Sequence, residues 1–441
     1  MATSKFSNFQ FIVTSIFVVF ILVGVALFTI FGGKSSNTAV GSVVIWGTMK
    51  QSAVDSILVE MTGGDTSFQN VTYVEKKPST YTADLTEAIA SGKSPDLFML
   101  DDNQVVSFAN KVTPIPYATI SQSTFNNTFI DESSIFLSSN GVIGVPVIID
   151  PLVMYYNRDL FSTAGVAEYP KTWTELQTIA PKMTALDTAS NVKTSAVAMG
   201  SYDNVLHAKE ILTSLFLQVG ESIVGNDANG KLGSTFGGNA GNNVEPPAQS
   251  ALRFYTNFSN PTQSIYSWNK ALPVSLDAFV AGDLGVYFGR ASEYGTIQKR
   301  NPNLAFSVAD LPQTAGAKIR ITYGRMTALA IPRSSANITG ATIIAQKLSS
   351  QKAIGLFASA SGLPPTRRDL ISNAPQDATL SIFADSALIA RTWADPNPQA
   401  TDAIFKRMVE STVSGAEQLD GATRTASTEL SNLFDQLNNG Q

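Results

Sequence analysis

GVIGVPVIIDPLVMYYN, residues 141–157, decides how the chain is divided. It holds two apolar runs of strand length, interrupted at Asp150 and Pro151. Proline brings no amide donor to a ladder, so the break suits a chain leaving one domain for another.

Toward the amino terminus, strand and helix patterns alternate. SVVIWG (42–47) is an apolar strand candidate, and MKQSAVDSILVEMT (49–62) has the spacing of a helix that buries one face. FQNVTYVEKK (68–77) reads as a second strand and YTADLTEAIASGKS (81–94) as an amphipathic helix stopped by glycine. PDLFMLD (95–101) is a third strand with Pro95 at its start. This order predicts a parallel sheet covered by helices, an α/β class.

Toward the carboxyl terminus, YPKTWTELQTIAPKM (169–183) enters a helix, with Thr172 and Glu175 spaced as a capping box; a second lobe is expected to begin here. The Gly- and Asn-dominated GNDANGKLGSTFGGNAGNNVEPP (225–247) reads as an exposed loop or insertion, or as a divalent-cation loop supplied by Asp227. The calcium-loop pattern with its closing Glu is not met. SLDAFVAGDLGVYFGRASEYGTIQKR (275–300) combines helix, glycine stop, strand and helix. NLAFSVADLP and IRITYGRMTALAIP supply further strands, followed by two helical stretches and no internal repeat.

Residues 11–31, FIVTSIFVVFILVGVALFTIF, form one uncharged run. A bilayer needs about 20 apolar residues, and the run is longer than a signal-peptide core, so an uncleaved single-pass anchor is expected. The predicted order is a short tail (1–10), a transmembrane helix (11–31), a tether (32–41) and a soluble body outside the cytoplasm.

With 30 basic and 35 acidic residues and a net charge of −5, no Lys/Arg stripe presents itself to a phosphate backbone, and nucleic acid is excluded as a partner. The chain has no cysteine, which removes disulfides, thiolate metal sites and a lipidated amino-terminal cysteine. The single histidine, His207, lies in the apparent helix NVLHAKEILTSLFLQV and is read as structural or surface rather than as a metal ligand or triad base. No GxxxxGK[ST] loop occurs. No cofactor, metal site or catalytic residue is assigned.

Taken together, the motifs resemble the extracellular solute-binding proteins of ABC transporters, particularly the sugar-binding group. VVIWG (43–47) is similar to the family's first strand and aromatic rim, and PDLFMLDD (95–102) to its strand followed by a carboxylate. IGVPVIIDPLVMYYNRDLFSTAGV (143–166) is the most specific match, resembling the first interlobe crossing, and YPKTWTEL (169–176) the helix entry after it. GDLGVYFGR, FSVADLP and YGRMTALAIPRSS resemble the return crossing, a strand before proline and the ligand-facing loop near a third crossing. The chain departs from the pattern in lacking a lipidated cysteine, which the apolar anchor can replace. It also carries Tyr323, Gly324 and Arg325 where a plainer glycine run is usual.

The resemblance implies a two-lobed periplasmic-binding-protein-like fold with a hinged cleft. Lobe 1 is expected over 42–149 and 291–325, and lobe 2 over 150–290 and 326–441. The implied role is capture of a carbohydrate or oligosaccharide, delivered to an ABC permease without chemistry. Sugars need directed hydrogen bonds and aromatic platforms. Trp46 is a platform or a core tryptophan. Asp101 and Asp102 end a strand where carboxyl ends face a crevice. Asp150 is a ligand acceptor or a turn former, and of Tyr155 and Tyr156, which face opposite ways on a strand, Tyr155 is the candidate carried forward. Trp268 and Trp393 are ligand platforms or core residues. Arg290 and Arg325 are donor forks or ordinary ion pairs, and Tyr323 supplies a ring. Two other readings remain: a glycan-processing enzyme using Asp101, Asp102 and Asp150, and a surface adhesion module.

Overall fold

The computed structural model describes residues 40–226, 230–237, 245–373 and 377–439. The expected tail, the transmembrane helix at 11–31, nearly all of the tether and the cation-loop residue Asp227 lie outside the described residues. Among the described residues no helix is long and apolar enough to cross a membrane.

The alternation near the amino terminus is realised as β1 (Val43–Gly47), α1 (Gln51–Thr62), β2 (Val71–Glu75), α2 (Tyr81–Ala90) and β3 (Leu97–Asp101). Helix α1 buries Val54, Ile57, Leu58 and Met61, the i, i+3, i+4, i+7 stripe that the sequence spacing requires. β1 pairs in parallel with β2 and β3.

The deciding stretch forms one long strand, β4 (Gly144–Asn157), where two were expected. Pro151 does not break it, because it sits where β4 changes partners. The pairing with β8 (Thr322–Ala330) includes Gly324 opposite Pro151, and the pairing with β6 (Leu284–Arg290) includes Arg290 opposite Leu152. A proline at the handover forfeits little of the ladder. β4 also pairs antiparallel with β7 (Phe306–Ala309), while β5 (Val192–Val197) runs parallel to β6. The expected parallel sheet is therefore mixed, with order β2-β1-β3-β8-β4-β6-β5 along its main path.

Two cores flank the crossing strands. The first draws on 40–149 and 326–371 with Ala387 and Ala390, the second on 152–323 and 383–430. This corrects the expected division. Residues 291–325 pack in the second core because β7 adds to the far half of β4, and 326–371 pack in the first because β8 inserts between β3 and β4. GDLGVYFGR, expected at the return crossing, stays in the second lobe as β6, and β8 makes the crossing instead. Ala390–Arg391 pairs with the start of β8 and brings the chain back a third time.

In the second lobe, α3 (Trp173–Met183) has the predicted capping box: the Glu175 amide donates to Thr172 Oγ1 at 3.2 Å and the Thr172 amide to Glu175 Oε2 at 3.2 Å. α4 (Ala208–Gln218), α5 (Pro398–Ser414) and α6 (Leu419–Asn439) also pack in this lobe's core. Beyond β8 the described residues hold more than the two expected helices, because Ile338–Leu348, Gln351–Ser361 and Ala378–Leu388 are also helical. The Gly/Asn stretch is not wholly loop: Val224–Asn226 pairs with Leu232–Ser234, and Phe236 is buried in the second core.

Candidate ligand cleft at the crossing strands

Antiparallel register places Arg325 of β8 directly opposite Asp150 of β4, and Arg290 ends β6 opposite Leu152. A cavity of about 500 Å³ opens beside these crossings. Its wall is mostly second lobe, including Tyr202, His207, Glu210, Arg290, Tyr323 and Trp393, with Arg325 from the crossing and Asn103 from the first lobe. A larger cavity of about 810 Å³ lies wholly on the second lobe, between Gly200–Tyr202, Ser259, Asn269–Lys270 and α5; none of the crossing-strand residues line it.

Glu210 organises the cleft. It enters on the first turn of α4, where the helix dipole favours negative charge. Its carboxylate takes both Nε (3.2 Å) and Nη2 of Arg290, Nδ1 of His207 at 2.8 Å and Nη2 of Arg325 at 3.5 Å. Burial opposes its ionisation, but Arg290, then His207 and Arg325, hold the carboxyl well below its ordinary range.

His207 precedes α4 in a left-handed conformation (φ 65°), uncommon for a side-chain-bearing residue. Its Nε2 lies 2.9 Å from Glu293 Oε1, whose other oxygen accepts from the Tyr287 hydroxyl at 2.8 Å and the Arg290 amide at 3.0 Å. Neutral imidazole has one N–H, so donating to Glu210 and Glu293 together requires the imidazolium. Burial opposes that charge, yet Glu210 and then Glu293 push His207 up to about 9.

A second ion pair joins α4 to the carboxyl-terminal helices. Lys209 Nζ lies 2.7 Å from Asp395 Oδ2 and donates to Thr401 Oγ1 and the Pro398 carbonyl. The same ammonium stands 5.6 Å from the centre of the Trp393 ring, which stacks on Phe405 at 6.2 Å. Trp393 is thus largely buried, with one ring face covered by Phe405.

Of the ten expected residues, Arg290, Tyr323, Arg325 and Trp393 line the cavity. Trp268 is 1% exposed and donates from Nε1 to Asn204 at 3.1 Å; it belongs to the second core, not the cleft. Tyr155 is also in that core, its hydroxyl donating to the Arg290 carbonyl at 2.7 Å, which supports the residue that lines the site. Trp46 is half-buried in the first lobe under Lys76, whose Nζ is 3.5 Å from the ring centre, and it does not reach the cavity. Asp101 accepts from the Thr327 hydroxyl at 2.7 Å, and Asp150 from the Ser292 amide at 2.9 Å. Asp102 is fully buried; burial, opposed in part by Arg325, pushes it up to about 7.

Sequence reasoning missed Glu210, His207, Lys209, Tyr202 and Asp395. The signal for the first two was present: His207 and Glu210 are three residues apart at a helix start, which places them on one face. Among the described residues, no cluster of three or more His, Asp or Glu is arranged to hold a metal ion.

Comparison with known proteins adds the context. Residues 68–352 match the family model described as bacterial extracellular solute-binding protein. A binding protein of Brucella abortus (strain 2308) is 25% identical over 268 residues, covering 57% of this chain and 58% of that protein. The chain thus aligns with somewhat over half the length of the curated relatives it matches. Among solved structures, the cyclic alpha-maltosyl-1,6-maltose binding protein of Arthrobacter globiformis superposes with a TM-score of 0.73 at 16% identity, over 90% of this chain and 99% of the other. The sugar-binding protein MalE of Xanthomonas citri gives 0.71 at 19%, over 90% and 98%. An ABC transporter solute-binding protein of Thermotoga lettingae, bound with alpha-D-tagatose, gives 0.66 at 21%, over 89% and 99%. At these identities the likeness is one of fold: a mixed α/β, periplasmic-binding-protein-like architecture.

Proposed function

The chain belongs to the bacterial extracellular solute-binding protein family, and on that premise we propose that it captures a carbohydrate in the cleft at the crossing strands and presents it to an ABC permease. The observation that carries this reading is the coincidence of the cavity with the strands that join the two cores. Closure about β4 and β8 would carry Asn103 toward the wall built from α4, Arg290, Tyr323 and Trp393. That wall offers directed donors and acceptors together with the aromatic side chains of Tyr202, Tyr323 and Trp393, the pairing of polar and apolar contacts that sugars need. The alpha-D-tagatose bound to the Thermotoga lettingae protein, and the maltosyl-maltose that the Arthrobacter globiformis protein binds, support a carbohydrate over other polar solutes.

The family is one of binding proteins, and the role assigned is binding without turnover. The paired-carboxylate reading loses its support, since Asp102 is buried and the Asp101 and Asp150 carboxylates are engaged by Thr327 and Ser292.

The proposal includes the anchor. Residues 11–31 would hold the body on the extracytoplasmic face as a single-pass protein, taking the place of a lipid. In support, the Val40 carbonyl accepts from Asn337 Nδ2 at 2.7 Å, so a tether would enter at the first lobe. Flotation with liposomes checks this: the full chain should float and a chain starting at Ser36 should not.

The binding claim is checked by thermal shift against mono- and oligosaccharides, amino acids, peptides and divalent ions. A saturable rise with a carbohydrate, without product formation, is expected. A response only to peptides, amino acids or ions would contradict the carbohydrate assignment.

A further inference from the structure

Charge in the cleft is not evenly satisfied. Every carboxylate lining the cavity has a partner: Glu210 has Arg290 and His207, Asp395 has Lys209, Asp203 has Lys406 at 2.7 Å, and Asp402 accepts from the Tyr202 hydroxyl at 2.7 Å. Three of the lining cations are equally engaged. His207 sits between two carboxylates, Lys209 has three oxygen partners, and Arg290 grips Glu210 through two nitrogens.

Arg325 is the exception. Among the described residues its only ion contact is 3.5 Å to a Glu210 oxygen already held by Arg290, and its Nε has no hydrogen-bond partner there. It is also the most exposed member of the network, 30% against 17% for Arg290 and 9% for His207. Asp150, directly opposite on β4, turns an oxygen to the Ser292 amide, and Asp102 turns one to the Asn103 amide and leaves the other without a partner; neither carboxyl is bonded to Arg325.

Resting on the reading of this cavity as the solute site, we propose that the solute is an acidic carbohydrate whose carboxylate is held by the Arg325 guanidinium. A planar fork with unused donors matches two carboxylate oxygens in geometry as well as charge, and a single neutral hydroxyl fills only part of it. A guanidinium left half-engaged in a confined cleft is costly to bury when the lobes close unless the solute supplies the missing acceptors. Neutral parts of the same sugar would lie toward Tyr323, Trp393 and Asn103.

The test compares acids with their methyl esters, which differ in charge but hardly in shape. Oligogalacturonates, oligomannuronates and a hyaluronan disaccharide, each with its ester, are titrated calorimetrically into the full chain and its Arg325→Gln and Arg325→Lys variants. At least one acid should bind tenfold or more tighter than its ester. Arg325→Gln should erase that preference, and Arg325→Lys, which keeps charge without the fork, should retain part of it. Because the wild-type comparison needs no variant, a misfolded substitution does not remove the test. Acids and esters binding alike, neutral sugars binding best, or a preference that survives in folded Arg325→Gln would each overturn the inference while leaving carbohydrate capture standing. Binding of no sugar, acidic or neutral, would count against both.

Discussion

The two lobes bury charge beside the cleft in opposite ways. In the second, Glu210 and Glu293 are gripped by Arg290, His207 and Tyr287, with Arg325 more distant, so the ionised forms are held in place. In the first, Asp102 and Glu132 are buried, each with one oxygen lacking a partner, and burial pushes Asp102 up to about 7 and Glu132 well above its ordinary value. One wall is a fixed electrostatic frame; the other holds acids that favour their protons. The contrast teaches that, for the proposed cleft, the fixed charges stand on the second lobe and at the crossing, and the first lobe brings none of that frame.

The sharpest way to break the comparison is at the supports of the second wall. Trp268→Ala should cost about 3–5 kcal/mol, because it empties a fully buried site in the second core. Urea denaturation that shows a loss below about 1 kcal/mol would mean the second core is looser than its packing implies. Glu210→Gln removes the shared charge and should cost on the order of 3 kcal/mol, the lower end for a broken buried pair, because Glu293 still holds His207.

Proton linkage separates the lobes more finely. His207, ordinarily near 6.5 and near 9 in the fold, binds more protons native than unfolded across that interval. Its contribution is therefore complete below about 6.5 and lost as pH rises toward 9. Asp102, ordinarily near 3.8 and near 7 in the fold, likewise favours the native state when protonated, so its share is lost as pH rises from about 3.8 to 7. Urea midpoints across pH should show His207→Gln flattening the alkaline window and Asp102→Asn the acidic one. A single slope removed by either variant alone would dissolve the distinction between the walls. The smallest expected effect lies away from both: Thr172→Ala should cost about 1 kcal/mol through the lost cap of α3 and leave both windows unchanged.

Much of the fold was legible because local chemistry and global packing agree. The β1-α1-β2-α2-β3 run and the Thr172–Glu175 box could be read from periodicity and capping residues alone. The path of β4 could not, since Pro151 reads as a break until its position between two ladders is known. Lobe membership failed for a related reason: which half of a crossing strand β7 and β8 join is a long-range choice that leaves no mark in either segment. The cleft was half legible. Arg290, Tyr323, Arg325 and Trp393 follow recognisable strand and turn positions, whereas Trp268, open between ligand platform and core, is settled as core by packing with residues distant in sequence. His207, read as structural or surface, and Glu210 were not placed in the site because a histidine and a carboxylate at a helix start acquire their role only when Arg290 and Glu293 arrive from another element.

The most direct measurement is hydrogen–deuterium exchange of the full chain with and without a saturating carbohydrate found by thermal shift. Solute capture at the crossing strands predicts slowed exchange around Tyr202–Thr213, Arg290–Ser292, Tyr323–Arg325 and Trp393–Gln399. Protection confined to Ser259–Lys270 and the Ala403–Ser414 part of α5, around the larger second-lobe cavity, would contradict it.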